Sequence, residues 1–130
     1  MSRSDLLLKS ITEFYEEPEN FELLKGILEK TSGVSLRNLE WFITDYSKKK
    51  NFSYTTKTGK LFSVHMSYKS SLDGYSKKLF DPFCRTQKIE FQGIQTTVAQ
   101  LNFIRWCIKN DIITTTKEVL GESPNEEVTC

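Results

Sequence analysis

The apolar positions of this chain change period partway along it. Up to Tyr46 they recur at helical spacing. Leu7, Ile11 and Phe14 fall at i, i+4 and i+7 behind Ser4, a residue type suited to an N-cap, and Pro18 is placed to stop that helix. Asn20 is placed to cap a second helix carrying Phe21, Leu24 and Leu28 on one face and ending near Gly33. Ser35 is placed to cap a third, with Leu36, Leu39, Ile43 and Tyr46 inward and Arg37, Glu40 and Lys48 outward. Three short helices with such seams predict a small bundle.

Beyond Tyr46 the period shortens. Residues 51–56 and 60–66 alternate apolar and polar, and Lys57-Thr58-Gly59 between them reads as a hairpin loop with glycine at a positive φ. Residues 67–79 fit a helix weakened by Gly74, and Asp81-Pro82 breaks it. Residues 88–92 read as a short strand ending at Gly93. Thr97 is placed to cap a strong helix with Leu101, Ile104 and Ile108 on one face and Phe103, Trp106 and Cys107 beside them; residues 110–120 add a further helical turn or two. The expected class is α+β: N-terminal helices, a central basic β-hairpin with its following helix, and a C-terminal amphipathic core helix. Residues 1–120 are expected to form a single domain and residues 121–130 a flexible acidic tail.

Charge changes this picture. The chain of 130 residues has a net charge of only +1, but the charge is segregated. Between Tyr46 and Lys88 stand ten basic side chains, Lys48, Lys49, Lys50, Lys57, Lys60, Lys69, Lys77, Lys78, Arg85 and Lys88, against Asp73 and Asp81, a balance of +8. Residues 1–45 carry five basic and nine acidic groups and residues 89–130 three and six, or −4 and −3, which returns the net value. A field of this kind attracts a polyanion. Nine of the ten basic groups are lysines, which reach phosphate as flexible point charges, whereas base-edge readout favours Arg, Asn and Gln. The expected binding is therefore backbone-dominated and independent of sequence. Tyr46, Phe52, Tyr54, Phe62, Tyr68, Tyr75, Phe80 and Phe83 interleave with the lysines; as bases stack on exposed rings, they are candidates for contact, although Phe52, Tyr54, Phe62 and Val64, on alternating strands, are expected to be mostly core. Tyr46-Ser47-Lys48-Lys49 recurs as Tyr75-Ser76-Lys77-Lys78, a short echo whose plain reading is two solvated helix ends.

Catalytic chemistry finds little support. The lone His65 has no second ligand or nucleophile at a useful spacing and reads as structural. Asp73 and Asp81 read as a helix charge partner and a turn residue rather than as a metal pair. Cys84 reads as packing. Cys84, Cys107 and Cys130, odd in number and isolated, read as reduced thiols. No catalytic residue, metal, cofactor or small-molecule substrate is expected. Neither is membrane insertion, since no apolar run approaches the ~20 residues of a span, and the N-terminus lacks the pattern of a secretory signal.

Three stretches, LEWFITDYSKKKN (39–51), SYKSSLDGYSKKLFDPFCR (67–85) and TTVAQLNFIRWCIKNDII (96–113), resemble a family of small proteins of nucleocytoplasmic large DNA viruses, marseillevirus-like giant viruses among them. The run YSKKLFDPFCR is the most specific part. The likeness covers roughly residues 39–113 and leaves out the N-terminal helices. In the family pattern a second arginine often follows the position of Arg85, where this chain has Thr86, and glycine is common at the position of Ala99. The resemblance implies a non-enzymatic DNA-binding protein of the infection cycle, dimeric, located in the host cytoplasm at the viral factory or packaged in the virion, and not secreted.

The reading preferred on these grounds is sequence-independent binding of double-stranded DNA through the ten basic residues. The alternative is a virion structural or interaction module whose basic face meets an acidic protein or a membrane surface. A homodimer is expected because the helix after Thr97 is apolar over much of its circumference; a second copy would bury Trp106 or Phe103.

Overall fold

The computed structural model describes residues 3–31, 33–50, 52–55, 58–84 and 86–122. Helices dominate, with two antiparallel two-stranded hairpins, so the chain is α+β. The first helix, α1 (Arg3–Phe14), buries Ile11 and begins before Ser4 rather than after it. Pro18 does not only stop that helix. It is the first residue of α2 (Pro18–Leu28), the position where a missing N–H costs nothing. Asn20 therefore lies inside α2, and its Nδ2 donates to the Phe14 carbonyl at 3.0 Å, closing the C-terminus of α1. The second helix also ends early, at Leu28. Lys30, not Gly33, takes the left-handed position after it (φ 62°), and the Thr31 N–H returns to the Gly26 carbonyl at 2.9 Å in a Schellman closure.

Ser35 caps α3 (Leu36–Trp41) as expected, in a reciprocal box with Asn38. The helix then widens. Residues Phe42–Tyr46 form a π turn in which the Ser47 N–H reaches the Phe42 carbonyl, and α4 (Ser47–Lys50) continues it. One residue is thereby inserted into the helical register. A regular helix holding Ile43 inward would turn Lys50, seven residues on, inward as well. With the insertion Phe42, Ile43 and Ser47 are buried and Lys48, Lys49 and Lys50 are all exposed.

The basic hairpin pairs β1 (Ser53–Thr55) with β2 (Leu61–Ser63), Tyr54 opposite Phe62. Strand character stops at Ser63. Residues Val64, Tyr68, Leu72 and Tyr75 form a helical seam, and α5 (Val64–Tyr75) follows the strand without a loop, so His65 sits in its first turn rather than in a strand. The helix expected over residues 67–79, weakened by Gly74, is instead interrupted at Ser76, and α6 (Lys77–Phe80) follows it. A second hairpin, β3 (Ile89–Phe91) and β4 (Ile94–Thr96), turns through Gln92 and Gly93 at φ 52° and 82°, values of a type I′ turn. The sequence reading placed only its first strand.

Thr97 caps α7 (Val98–Lys109), its Oγ1 accepting the Gln100 N–H at 3.1 Å. This helix is not the last: α8 (Ile112–Glu122) adds three turns and runs past residue 120, where the domain was expected to end. Helices α1, α2, α6 and α8 all pack on α7. Its wide apolar circumference is thus largely covered within the chain, with Val98, Trp106 and Ile108 partly buried. Phe103 is fully buried, and Trp106 packs among Phe62, Tyr68, Phe80 and Phe103. Phe103 is therefore not available to a second copy, while Trp106 is partly buried. Polar anchors complete the hub. Tyr15 donates to the Leu101 carbonyl at 2.9 Å, Asn102 donates to the Leu79 carbonyl at 2.9 Å, and the Arg105 guanidinium bonds Ser10 Oγ and Asn102 Oδ1 at 2.8 and 2.9 Å. Among the described residues no helix is long and apolar enough to cross a membrane.

Candidate nucleic-acid interface

Eight of the ten candidate cations lie among the described residues, and all eight are exposed: Lys48, Lys49, Lys50, Lys60, Lys69, Lys77, Lys78 and Lys88. Lys57 and Arg85 lie outside them. Helix α4 packs on α5, and α5 on α6. The lysine triplet, Lys69 and the Lys77–Lys78 pair therefore stand on consecutive helices in contact. The two copies of the Tyr-Ser-Lys-Lys echo reach this arrangement by different routes. Ser47 is buried in a helix, where its hydroxyl donates to the Ile43 carbonyl. Ser76 is exposed at φ 76°, ψ 160°, a conformation almost confined to glycine.

Two candidates stand apart. Lys60 lines a depression of about 430 Å³ whose wall also includes Lys109 at the end of α7 and Asp111 in the turn before α8. Lys88 lines a groove of about 520 Å³ with Lys30 and Arg37, two cations of the N-terminal segment whose overall balance is acidic. Lys30, Arg37 and Lys109 were missed because a charge count along the chain cannot see which distant residues fold together. A window edge also misled. Asp45 lies one residue outside the basic segment and pairs with Lys49 at 3.3 Å, four residues on along the helix. In exposed surroundings such a pair is worth little, but it offsets one charge of the triplet.

The interleaved aromatics turn inward. Trp41, Tyr46, Phe42, Phe52, Tyr54, Phe62 and Trp106 form a continuous series of ring contacts, and Tyr68, Tyr75 and Phe80 join it through Phe103 and Trp106. Tyr54 also donates its hydroxyl to the Asn110 carbonyl. These rings are committed to contacts with one another, Phe42, Phe80 and Phe103 fully buried and the others partly so, which leaves little open ring face for a base. Phe83 is the exception, 40% exposed, with the Arg37 guanidinium carbon 5.3 Å from its ring centroid. Its backbone N–H is held by Asp81 Oδ1 at 3.0 Å, the turn role expected of that aspartate.

Ionisation follows burial. Glu40 is pushed above its ordinary value by partial burial and then by the nearby Asp81, with Arg37 opposing. Tyr68 is pushed up to about 12, first by burial and then by Asp81, Glu40 and Cys107. The Cys107 thiol is fully buried and raised, which keeps it protonated and unreactive. Cys84 is a partly buried free thiol, and Cys130 lies outside the described residues. The Nδ1 atom of His65 is buried without a hydrogen-bond partner.

Comparison with known proteins adds a relative in a giant virus. "Uncharacterized protein L507" of Acanthamoeba polyphaga mimivirus is 42% identical over 100 residues, an alignment covering 67% of this chain and 39% of that protein. The chain thus spans about two-fifths of that relative's length. A giant-virus family, the coarser part of the resemblance, is supported. No solved structure matches. The family likeness also reaches through the N-terminal helices that the three motif stretches left out: residues 1–127 match one family model, and the chain belongs to the family it describes, "Family of unknown function (DUF7197)".

Proposed function

We propose that this protein binds double-stranded DNA without sequence preference, as a non-enzymatic component of a viral infection cycle, through Lys48, Lys50, Lys69, Lys77 and Lys78, with Lys49 and Lys60 at the margin. The observation that carries the reading is the solvent exposure of Lys48, Lys49, Lys50, Lys69, Lys77 and Lys78 on α4, α5 and α6, three helices packed in sequence. With the neighbouring rings committed to the core, what remains on these helices is charge suited to phosphate rather than groups suited to base edges. Such a site suits a protein kept with the genome in the viral factory or in the virion.

Self-association belongs to the same proposal. A single chain offers few phosphate contacts, and two chains on one duplex raise the contact number and the effective concentration. The decisive experiment is a mobility-shift series over salt with unrelated duplexes of equal length. A clear negative dependence on salt, with less than about tenfold preference among sequences, supports the reading, since specific readers discriminate by ~10³ or more. Salt-independent binding, or one strongly preferred sequence, overturns it. Sedimentation at micromolar concentration tests the dimer, which a single species near 15.1 kDa would end.

A further inference from the structure

The groove beside Lys88 is separate from the lysine helices and is built differently. It measures about 520 Å³, within the ~300–1,000 Å³ range of small-ligand sites. Three cations line it, Lys30, Arg37 and Lys88, against one carboxylate, Glu29. They come from three distant points of the chain: the end of α2, the first turn of α3 and the strand-free segment before β3. Its floor is apolar, with Ile27 buried beneath and Leu36 and Ile94 contributing to the walls. Phe83 stands at its edge with 40% of its surface exposed, the ring held by Arg37. The Arg37 guanidinium lies over that ring and brings planar, charge-assisted N–H donors suited to an anion.

A second observation points the same way. Lys30 adopts φ 62°, the left-handed position that ends α2 and that glycine fills at no steric cost. A lysine there strains the backbone and places a charge on the groove. Local conformational rules are broken at functional sites more readily than elsewhere.

We propose that this groove binds a nucleotide unit: its phosphate between Lys30, Lys88 and the Arg37 guanidinium, its base against Phe83 and the apolar wall. Neither inorganic phosphate nor a nucleoside satisfies both halves of the site. The source of the unit is either a free mononucleotide or an unpaired end of a nucleic-acid strand, and the latter would join this groove to the duplex-binding reading. Binding of a free nucleotide does not depend on the lysine helices, so the two ideas fail separately.

The test uses the full chain, labelled with 15N, titrated in turn with AMP, inorganic phosphate and adenosine. AMP is expected to shift the amide signals of Lys30, Arg37, Phe83, Lys88 and Gln95 saturably, with at least tenfold tighter binding than either fragment. Competition then separates the sources. If a duplex with a one-nucleotide overhang displaces AMP where a blunt duplex does not, the site takes strand ends; if neither displaces it, the site takes free nucleotide. Lys30→Gly is expected to weaken AMP at least threefold while raising the melting temperature, a combination that loss of structure cannot produce. No saturable shift at the groove with AMP or with the overhang duplex would overturn the proposal. So would AMP binding no tighter than phosphate, or an unchanged affinity in Lys30→Gly.

Discussion

Replacing Lys77 and Lys78 with glutamine removes two positive charges from α6 without touching its packing, because both side chains are exposed. The effect on duplex binding follows from counting contacts. Lys48, Lys50, Lys69, Lys77 and Lys78 are exposed on the three consecutive helices, and Lys49 is discounted because Asp45 holds it at 3.3 Å. Each phosphate contact contributes about −0.9 to the slope of log affinity against log salt, so five give about −4.5. Raising salt from about 50 to 200 mM should then cost the natural chain about 500-fold in affinity. With two contacts gone the slope falls to about −2.7 and the same change in salt costs about 40-fold. Fluorescence anisotropy with a labelled 20-base-pair duplex measures both slopes, and circular dichroism checks that the variant is folded. An unchanged slope in a folded variant removes Lys77 and Lys78 from the interface. A slope near zero in the natural chain refutes the phosphate-contact reasoning altogether.

Three further outcomes concern the fold that carries these sites. Ser76→Gly relieves a backbone conformation at φ 76°, ψ 160° and should raise stability by about 1 kcal/mol, some 3–5 °C in melting temperature, unless Ser76 is not strained. Asn102→Ala deprives the Leu79 carbonyl and the buried Arg105 guanidinium of their shared partner and should cost about 2–3 kcal/mol in urea denaturation; a loss below about 0.5 kcal/mol would mean that the network is not formed. Glu40 holds its proton more tightly folded than unfolded, so its contribution to stability is full below the ordinary value of 4.5 and is lost as pH rises through the raised folded value. Glu40→Gln should therefore be more stable than the natural chain at pH 7 and should flatten the decline above 4.5, and an equal or steeper decline would contradict the burial of that carboxyl.

The helical seams of the chain were legible because burial repeats with the period of the backbone. Ser35 and Thr97 cap helices where the pattern placed them, and Ile11, Leu24, Leu39, Leu101 and Ile104 are core. Errors arose where a local signal had two uses. Pro18 and Asn20 serve the junction of two helices at once, so each was assigned to the wrong end. Helix α8 runs longer than the turn or two expected over residues 110–120, through three consecutive threonines. The Thr115 and Thr116 hydroxyls donate to the carbonyls four residues back, at 2.9 and 2.7 Å, which satisfies them inside a helix. Gln92 is not a usual first residue of a type I′ turn, and so β4 was missed. The π turn left no periodic trace, because a single inserted residue only shifts the phase of the seam.

The candidate sites were less legible than the fold for a physical reason. Apolar burial is encoded along the chain, but a surface field is encoded by which distant cations become neighbours. The lysine helices were recoverable because their charges lie close in sequence. The groove was not, since Lys30, Arg37 and Lys88 are drawn from segments of opposite overall charge. What could have pointed to it is conformational rather than electrostatic. Four residues other than glycine hold a positive φ among the described residues: Lys30, Ser76, Gln92 and Asp111. Gln92 and Asp111 close a hairpin and a helix–helix corner that the packing of the chain requires. Lys30 and Ser76 are placed where a glycine would stabilise the fold, one on the groove and the other directly before the Lys77–Lys78 pair. Strain retained at two positions that both border basic surface is what selection for binding, rather than for stability, would leave behind. If that is its origin, the glycine variants should part company. Lys30→Gly loses a ligand contact along with the strain, whereas Ser76→Gly alters only how rigidly α6 presents its lysines and should leave the salt slope of duplex binding unchanged.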